Sequence, residues 1–135
     1  MSDYSKLAQG FRDRTDAHFN CAQAVLMAFA PNLGLAEETA GKLGRCFGGG
    51  MKMGAVCGAY TGGLMVLGLA GLGDEDTRKE FQEAFENLEE GRLDCRDLLQ
   101  ANSDRGGEKK PFCDRLVRES AAILEQMLRA GGIDV

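Results

Sequence analysis

The chain has 135 residues, 21 Asp and Glu against 16 Lys and Arg, and a formal net charge of -5. That length can bury a real core within one domain, and the acidic balance excludes a nucleic-acid surface, which needs a basic patch. The polar opening MSDYSKLAQGFRDR lacks the apolar stretch of a signal peptide, so we expect a cytoplasmic protein, where five cysteines point to redox or metal chemistry rather than a disulfide framework.

Tyr4, Leu7, Ala8 and Phe11 follow the three-and-four spacing of an amphipathic helix over the first dozen residues. His18, the single histidine, has no second imidazole to form a ligand pair, and we assign it no role. Asn20 is a good N-cap, with Gln23 three residues on as in a capping box. The helix it opens carries Ala22, Val25, Leu26 and Phe29 inward and stops at Pro31 and Gly34. A third helix, from Ala36 to about Arg45, turns Ala40 and Leu43 inward and leaves Cys46 at its C-terminal end, where the helix dipole disfavours a thiolate.

The segment Phe47 to Gly54 holds Gly48, Gly49 and Gly50, which permit positive φ and let a ligand or another backbone approach. It lacks the terminal Gly-Lys-Ser/Thr of a phosphate loop and follows no strand, which rejects a nucleotide reading. It serves either as a mobile lid beside Cys57 or as a tight connection between crowded helices. The following run, Met53 to Gly73, is uncharged and long enough to span a bilayer. It is glycine-rich and leads into an acidic amphipathic segment, so we read it as a buried central helix and expect no membrane span. Gly54, Gly58 and Gly62 recur every fourth residue, a small-residue strip that lets another backbone come close. Cys57 falls in the first turn of this helix, where unpaired N–H groups and the dipole favour a thiolate.

Asp74 to Glu90 forms a surface helix with Phe81, Ala84, Phe85 and Leu88 facing in and Gly91 as its stop. Asp94 caps a short helix from Cys95 to about Gln100, and Ala101 to Lys110 is a polar loop, the best place in the chain for disorder. Pro111 suits the first turn of a last helix bearing the stripe Cys113, Leu116, Val117, Ser120, Leu124, Met127 and Leu128. No run alternates with period two and no repeat divides the chain. The expectation is therefore all-α: residues 1–135 as a single-domain bundle of about five to six helices around the central glycine-rich one.

Cys21, Cys57, Cys95 and Cys113 each fall in the predicted first turn of a different helix, the simplest place to lower a thiol pKa. If the four starts converge they form an electropositive, sulfur-filled pocket. Such a pocket suits reversible disulfide exchange, a four-thiolate zinc or iron–sulfur site, or anionic ligands. Gly48, Gly49, Gly50 and Gly58 are the positions at which a bound group could approach backbone. No two of the four cysteines form a C-x-x-C pair, which leaves thioredoxin-like and zinc-ribbon readings without support.

Asn20 to Val25, the Phe47 to Met51 hinge, Cys57-Gly58-Ala59-Tyr60-Thr61-Gly62, Cys95 to Leu99 and Cys113 together resemble the C_GCAxxG_C_C family, called redox-active for its cysteines. The likeness runs from about Leu7 to Met127. Val56 stands where the family's label has glycine, and Cys46 is extra to its four-cysteine pattern. The resemblance implies a thiol function without naming a substrate. The leading expectation is a thiol/disulfide redox protein acting on a thiol or electron-transfer partner, with Cys57 as nucleophile and Cys21, Cys95 or Cys113 resolving. The alternative is a binding protein in which Cys21, Cys57, Cys95 and Cys113 hold zinc or an iron–sulfur cluster. A third reading is a sensing module, dimeric through the Gly54, Gly58 and Gly62 face.

Overall fold

The computed structural model describes residues 2–135 and is all-helical; Met1, at the head of the expected first helix, lies outside the described residues. Seven α-helices follow in order: α1 Asp3–Asp13, α2 Cys21–Phe29, α3 Glu37–Gly44, α4 Gly58–Leu69, α5 Glu75–Glu86, α6 Cys95–Asp104 and α7 Lys109–Ala130. Short 3-10 turns continue α2 and α5. Among the described residues there is no strand, only an isolated antiparallel bridge between Val56 and Asp94.

The α2 start is built as its residues dictate. Gln23 N–H donates to Asn20 Oδ1 at 2.8 Å and Asn20 N–H to Gln23 Oε1 at 2.9 Å, a reciprocal capping box. The same two side chains bind the end of α3: Asn20 Nδ2 donates to the carbonyls of Gly44 and Arg45, and Gln23 Nε2 to that of Gly41. Every residue from Ala22 to Phe29 is buried, so α2 and α4 share the centre of the bundle.

Glycine makes the α2–α4 contact close. A Cβ on Gly62 would stand 2.7 Å from the Ala22 carbonyl oxygen, and one on Gly58 3.0 Å from the Ala22 nitrogen. Gly58 and Gly62 thus serve a contact inside the chain, against α2. Gly54 is not part of that face; it lies before α4 with φ 69° and packs on Arg96. Tyr60 stacks on Phe81 of α5 at 5.3 Å between ring centroids, and Ser120 Oγ donates to Ala59 O at 2.8 Å, which fastens α7 to α4.

Two expectations about buried faces fail in the same way. Leu43 and Leu7 are 55% and 49% exposed, because their short helices each press only one narrow edge onto the core. The polar loop expected at Ala101 to Lys110 is mostly helix: α6 runs on to Asp104 and α7 begins at Lys109. Asn102, buried, shapes the connection by donating to Glu108 O at 3.0 Å and accepting Gly107 N–H on its carbonyl at 2.9 Å.

Candidate functional site

Three chain segments bring the sulfurs together. The first is the capped start of α2, which places Cys21 at the first helical position. The second is the Val56–Asp94 bridge, where Cys57 N–H donates to Leu93 O at 2.9 Å and Cys95 N–H to Ala55 O at 2.7 Å. That bridge lashes the segment ahead of α4 to the one ahead of α6, and sets Cys57 as the N-cap of α4 and Cys95 as the first residue of α6. Asp94 holds the cap position of α6, but its side chain bonds no helix N–H. The third is α7. Its Cys113 is the fifth helical residue, two residues further in than expected, because α7 starts at Lys109 rather than at Pro111. Side chains on a helix tilt toward its N-terminus, which still directs Cys113 at the α7 start.

Cys21, Cys57, Cys95 and Cys113 line a single cavity of about 180 Å³. Leu98, Leu99, Phe112 and Leu116 form its apolar wall, and Asn20, Gly48, Gly49 and Gly58 complete it with backbone and small surfaces. Arg12, His18, Lys52 and Lys109 also line it. Of the glycines singled out from sequence, Gly50 is turned away: it is buried against the backbone of Ala55 and does not reach the cavity. Cys46 is exposed and outside the cavity. All five cysteines are free thiols.

Position at a helix start does not decide which thiol ionises. Burial pushes the Cys57 thiol up from 9.0 to about 12, outweighing the help of the Ala59 and Tyr60 N–H groups. Cys95 is also raised, chiefly by burial. Cys113 is the one brought down, from 9.0 to about 7. The main cause is the Cys21 thiol donating to its sulfur; burial opposes this, and the Arg12 and Lys109 charges reinforce it. Cys21, as donor, is correspondingly held well above its ordinary value. Sequence position points to Cys57 as the activated thiol; burial opposes its ionisation, and the thiol drawn down is Cys113, one turn inside its helix.

Arg12 is held for this task by α1 and α7 together. Its side chain is only 10% exposed, with Nε 2.8 Å from Asp114 Oδ1 and Nη1 donating to Phe19 O at 3.0 Å. Asp114 also accepts from Lys110 Nζ at 2.7 Å and Gln9 Nε2 at 3.2 Å, so its charge is shared among three donors. Lys52 arrives by a rarer route. Gly49, Gly50, Met51 and Lys52 all have φ between 59° and 62°, a full turn of left-handed backbone. Such a turn costs about 1–2 kcal/mol for each non-glycine residue in it, and strain of this kind collects at functional sites. The segment forms a left-handed turn between α3 and α4, and it carries Lys52 to the cavity. Arg12, His18, Lys52 and Lys109 carried no recognisable motif, and spacing alone did not mark them.

As the side chains stand, no group of three or more His, Cys, Asp or Glu among the described residues is arranged to hold a metal ion. The zinc or iron–sulfur reading gains no support from this geometry. Among the described residues no helix is long and apolar enough to cross a membrane, α4 being only 12 residues long.

Fold and site together define an all-helical protein with four thiols gathered in one small cavity edged by cations. Residues 19–127 match the family described as "Putative redox-active protein (C_GCAxxG_C_C)", and the chain belongs to that family. No curated protein and no solved structure matches it. The matched span begins after α1, so Arg12 reaches the cavity from outside it.

Proposed function

We propose that the protein exchanges thiols and disulfides through Cys113 as nucleophile and Cys21 as resolving thiol. The observation that carries this reading is the gathering of all four cysteines in one cavity edged by Arg12 and Lys109, with Cys113 lowered to about 7. A thiol that ionises near ambient pH is the best compromise between thiolate fraction and intrinsic nucleophilicity.

The Cys113 thiolate attacks one sulfur of a partner disulfide RS–SR′. The S–S bond breaks, Cys113–S–S–R forms, and R′S⁻ leaves and takes up a proton. Cys113 then no longer carries the charge to which Cys21 donated, so the interaction holding the Cys21 proton is gone. Cys21 loses that proton to solvent and attacks the Cys113 sulfur, forming Cys21–Cys113 and expelling RS⁻, which is protonated in turn. Two electrons pass from the two thiols to the partner disulfide, and the reverse sequence runs from the oxidised protein. Cys57 and Cys95 flank the pair as a reserve of protonated thiols.

The test is mild oxidation of the reduced protein, blocking of the remaining thiols, and peptide mapping. The expected product links Cys21 to Cys113, with Cys46 still free. A protein whose Cys21 and Cys113 both stay separately blockable after oxidation, or whose exchange rate is unmoved by Cys113→Ser, does not work this way.

A further inference from the structure

The chain is acidic as a whole, yet no carboxylate lines the thiol cavity; its charged residues there are Arg12, Lys52 and Lys109, with His18 beside them. Arg12 is partly offset by Asp114, which is itself bound to Lys110. Lys52 and Lys109 take part in no ion pair among the described residues. A small, walled cavity of one sign concentrates oppositely charged solutes and raises their encounter rate by about 10- to 1000-fold.

Size narrows the occupant further. A cavity of about 180 Å³ is below the roughly 300–1,000 Å³ of pockets that enclose drug-sized ligands. It has room for one short thiol-bearing arm and not for a folded protein loop. Lys52 and His18 also edge an adjoining groove of about 570 Å³, where Arg14, Lys42 and Arg45 stand against Glu37 and Glu38, so a charged end can rest beside Lys52 at the mouth while its sulfur enters. The strained left-handed turn adds an independent sign. Backbone at Met51 and Lys52 is held where glycine would be easier, and the result is an exposed, unpaired ammonium at that mouth.

We infer that the cavity selects small disulfides whose substituents carry carboxylates, with Lys52 and Lys109 as the groups that recognise them. The inference rests on the thiol-exchange reading of the same cavity and adds its substrate class. In the exchange, the carboxylate pairs with the lysines while the substrate's near sulfur meets Cys113, and the far half leaves as its thiol.

Three small disulfides of similar size test it: dithiodipropionate with two carboxylates, hydroxyethyl disulfide with none, and cystamine with two ammonium groups. The rate at which each oxidises the reduced protein is divided by its rate with mercaptoethanol, which removes intrinsic reactivity. At low salt the normalised rate for dithiodipropionate is expected to exceed that for cystamine by about tenfold, and to lose this lead as salt shortens the Debye length. Lys52→Gln is expected to cut the preference to about threefold and Lys52→Glu to abolish or reverse it; Lys52 is exposed and outside the core, so both variants should fold. Exchange that proceeds with no anion preference, or with one that neither Lys52 variant moves, overturns the substrate class and leaves the thiol reading standing. Exchange with none of the three disulfides overturns the thiol reading itself, and the substrate class falls with it.

Discussion

Cys57 and Cys113 show why a thiol's place in a helix does not settle its charge. Cys57 sits at a helix N-cap, where the dipole helps an anion, but at 5% exposure desolvation wins and the thiol stays protonated to about pH 12. Cys113 lies deeper in its helix and is lowered because another thiol donates to it while Arg12 and Lys109 lie near. The consequence can be read with a small alkylating agent, since only the thiolate reacts. Cys113 is expected to react with a midpoint near pH 7, and Cys21→Ala, which deletes the donor, is expected to move that midpoint upward. Cys57 is expected to remain unmodified at pH 8 in the folded protein. The linked stability effect has a definite sign. Between about 7 and 9 the folded state releases the Cys113 proton before the unfolded one, so Cys113 adds stability as pH rises and loses it as pH falls through 7. An alkylation midpoint unchanged by Cys21→Ala would mean that the two thiols do not communicate.

At the scale of elements, what is local in the chain is legible in the sequence and what is distant is not. The Asn20–Gln23 capping box, the stop at Gly34 and the surface face of α5 need only residues within one turn of each other, and they form as expected. The small-residue strip on α4 was equally visible, but its partner was not. Whether it met another chain or another helix depended on where α2 lies, and Ala22 offers no signal in sequence that it will be the neighbour. The structure makes the contact with Ala22 testable. Gly62→Ala places a methyl 2.7 Å from the Ala22 carbonyl oxygen, a backbone atom that cannot rotate away. Overpacking of this kind costs about 1–3 kcal/mol, which a denaturant titration would read as a lower midpoint with an unchanged slope. Gly68→Ala, at an open position of the same helix, is the control and is expected to lose nothing. Equal midpoints for the two variants would show that α2 and α4 are not in the contact described.

For the whole molecule, the site exists because distant segments are tied at a few charged points, and these also set its response to acid. The four sulfurs come from α2, the paired segments ahead of α4 and α6, and α7, and their convergence is a long-range fact that helix-by-helix reading left open. Arg12 illustrates the gap: within α1 it is one more polar residue, and only its pairing with Asp114, some hundred positions on, brings it into the cavity. Burial raises the Asp114 carboxyl, but Lys110, Arg12 and Gln9 more than compensate and hold it below 3.8. Glu89 is likewise held below 4.5 against its burial, by Arg115 and Arg105. A carboxylate whose folded pKa is depressed contributes stability that is present above its unfolded pKa and lost as pH falls through the folded one. The contribution of these two carboxylates to the thermal midpoint is therefore expected to be level between about pH 5 and 7 and to fall below 4 as they are protonated. Arg12→Leu should lower the plateau as well, by about 2 kcal/mol. That is less than the 3–5 kcal/mol typical of breaking a buried pair, because Lys110 and Gln9 still serve Asp114. The same variant should raise the pH at which Cys113 is alkylated, since Arg12 is one of the charges that lower it. A loss of stability without any change at Cys113 would separate the tie between α1 and α7 from the chemistry of the cavity, and would make Arg12 a strut alone.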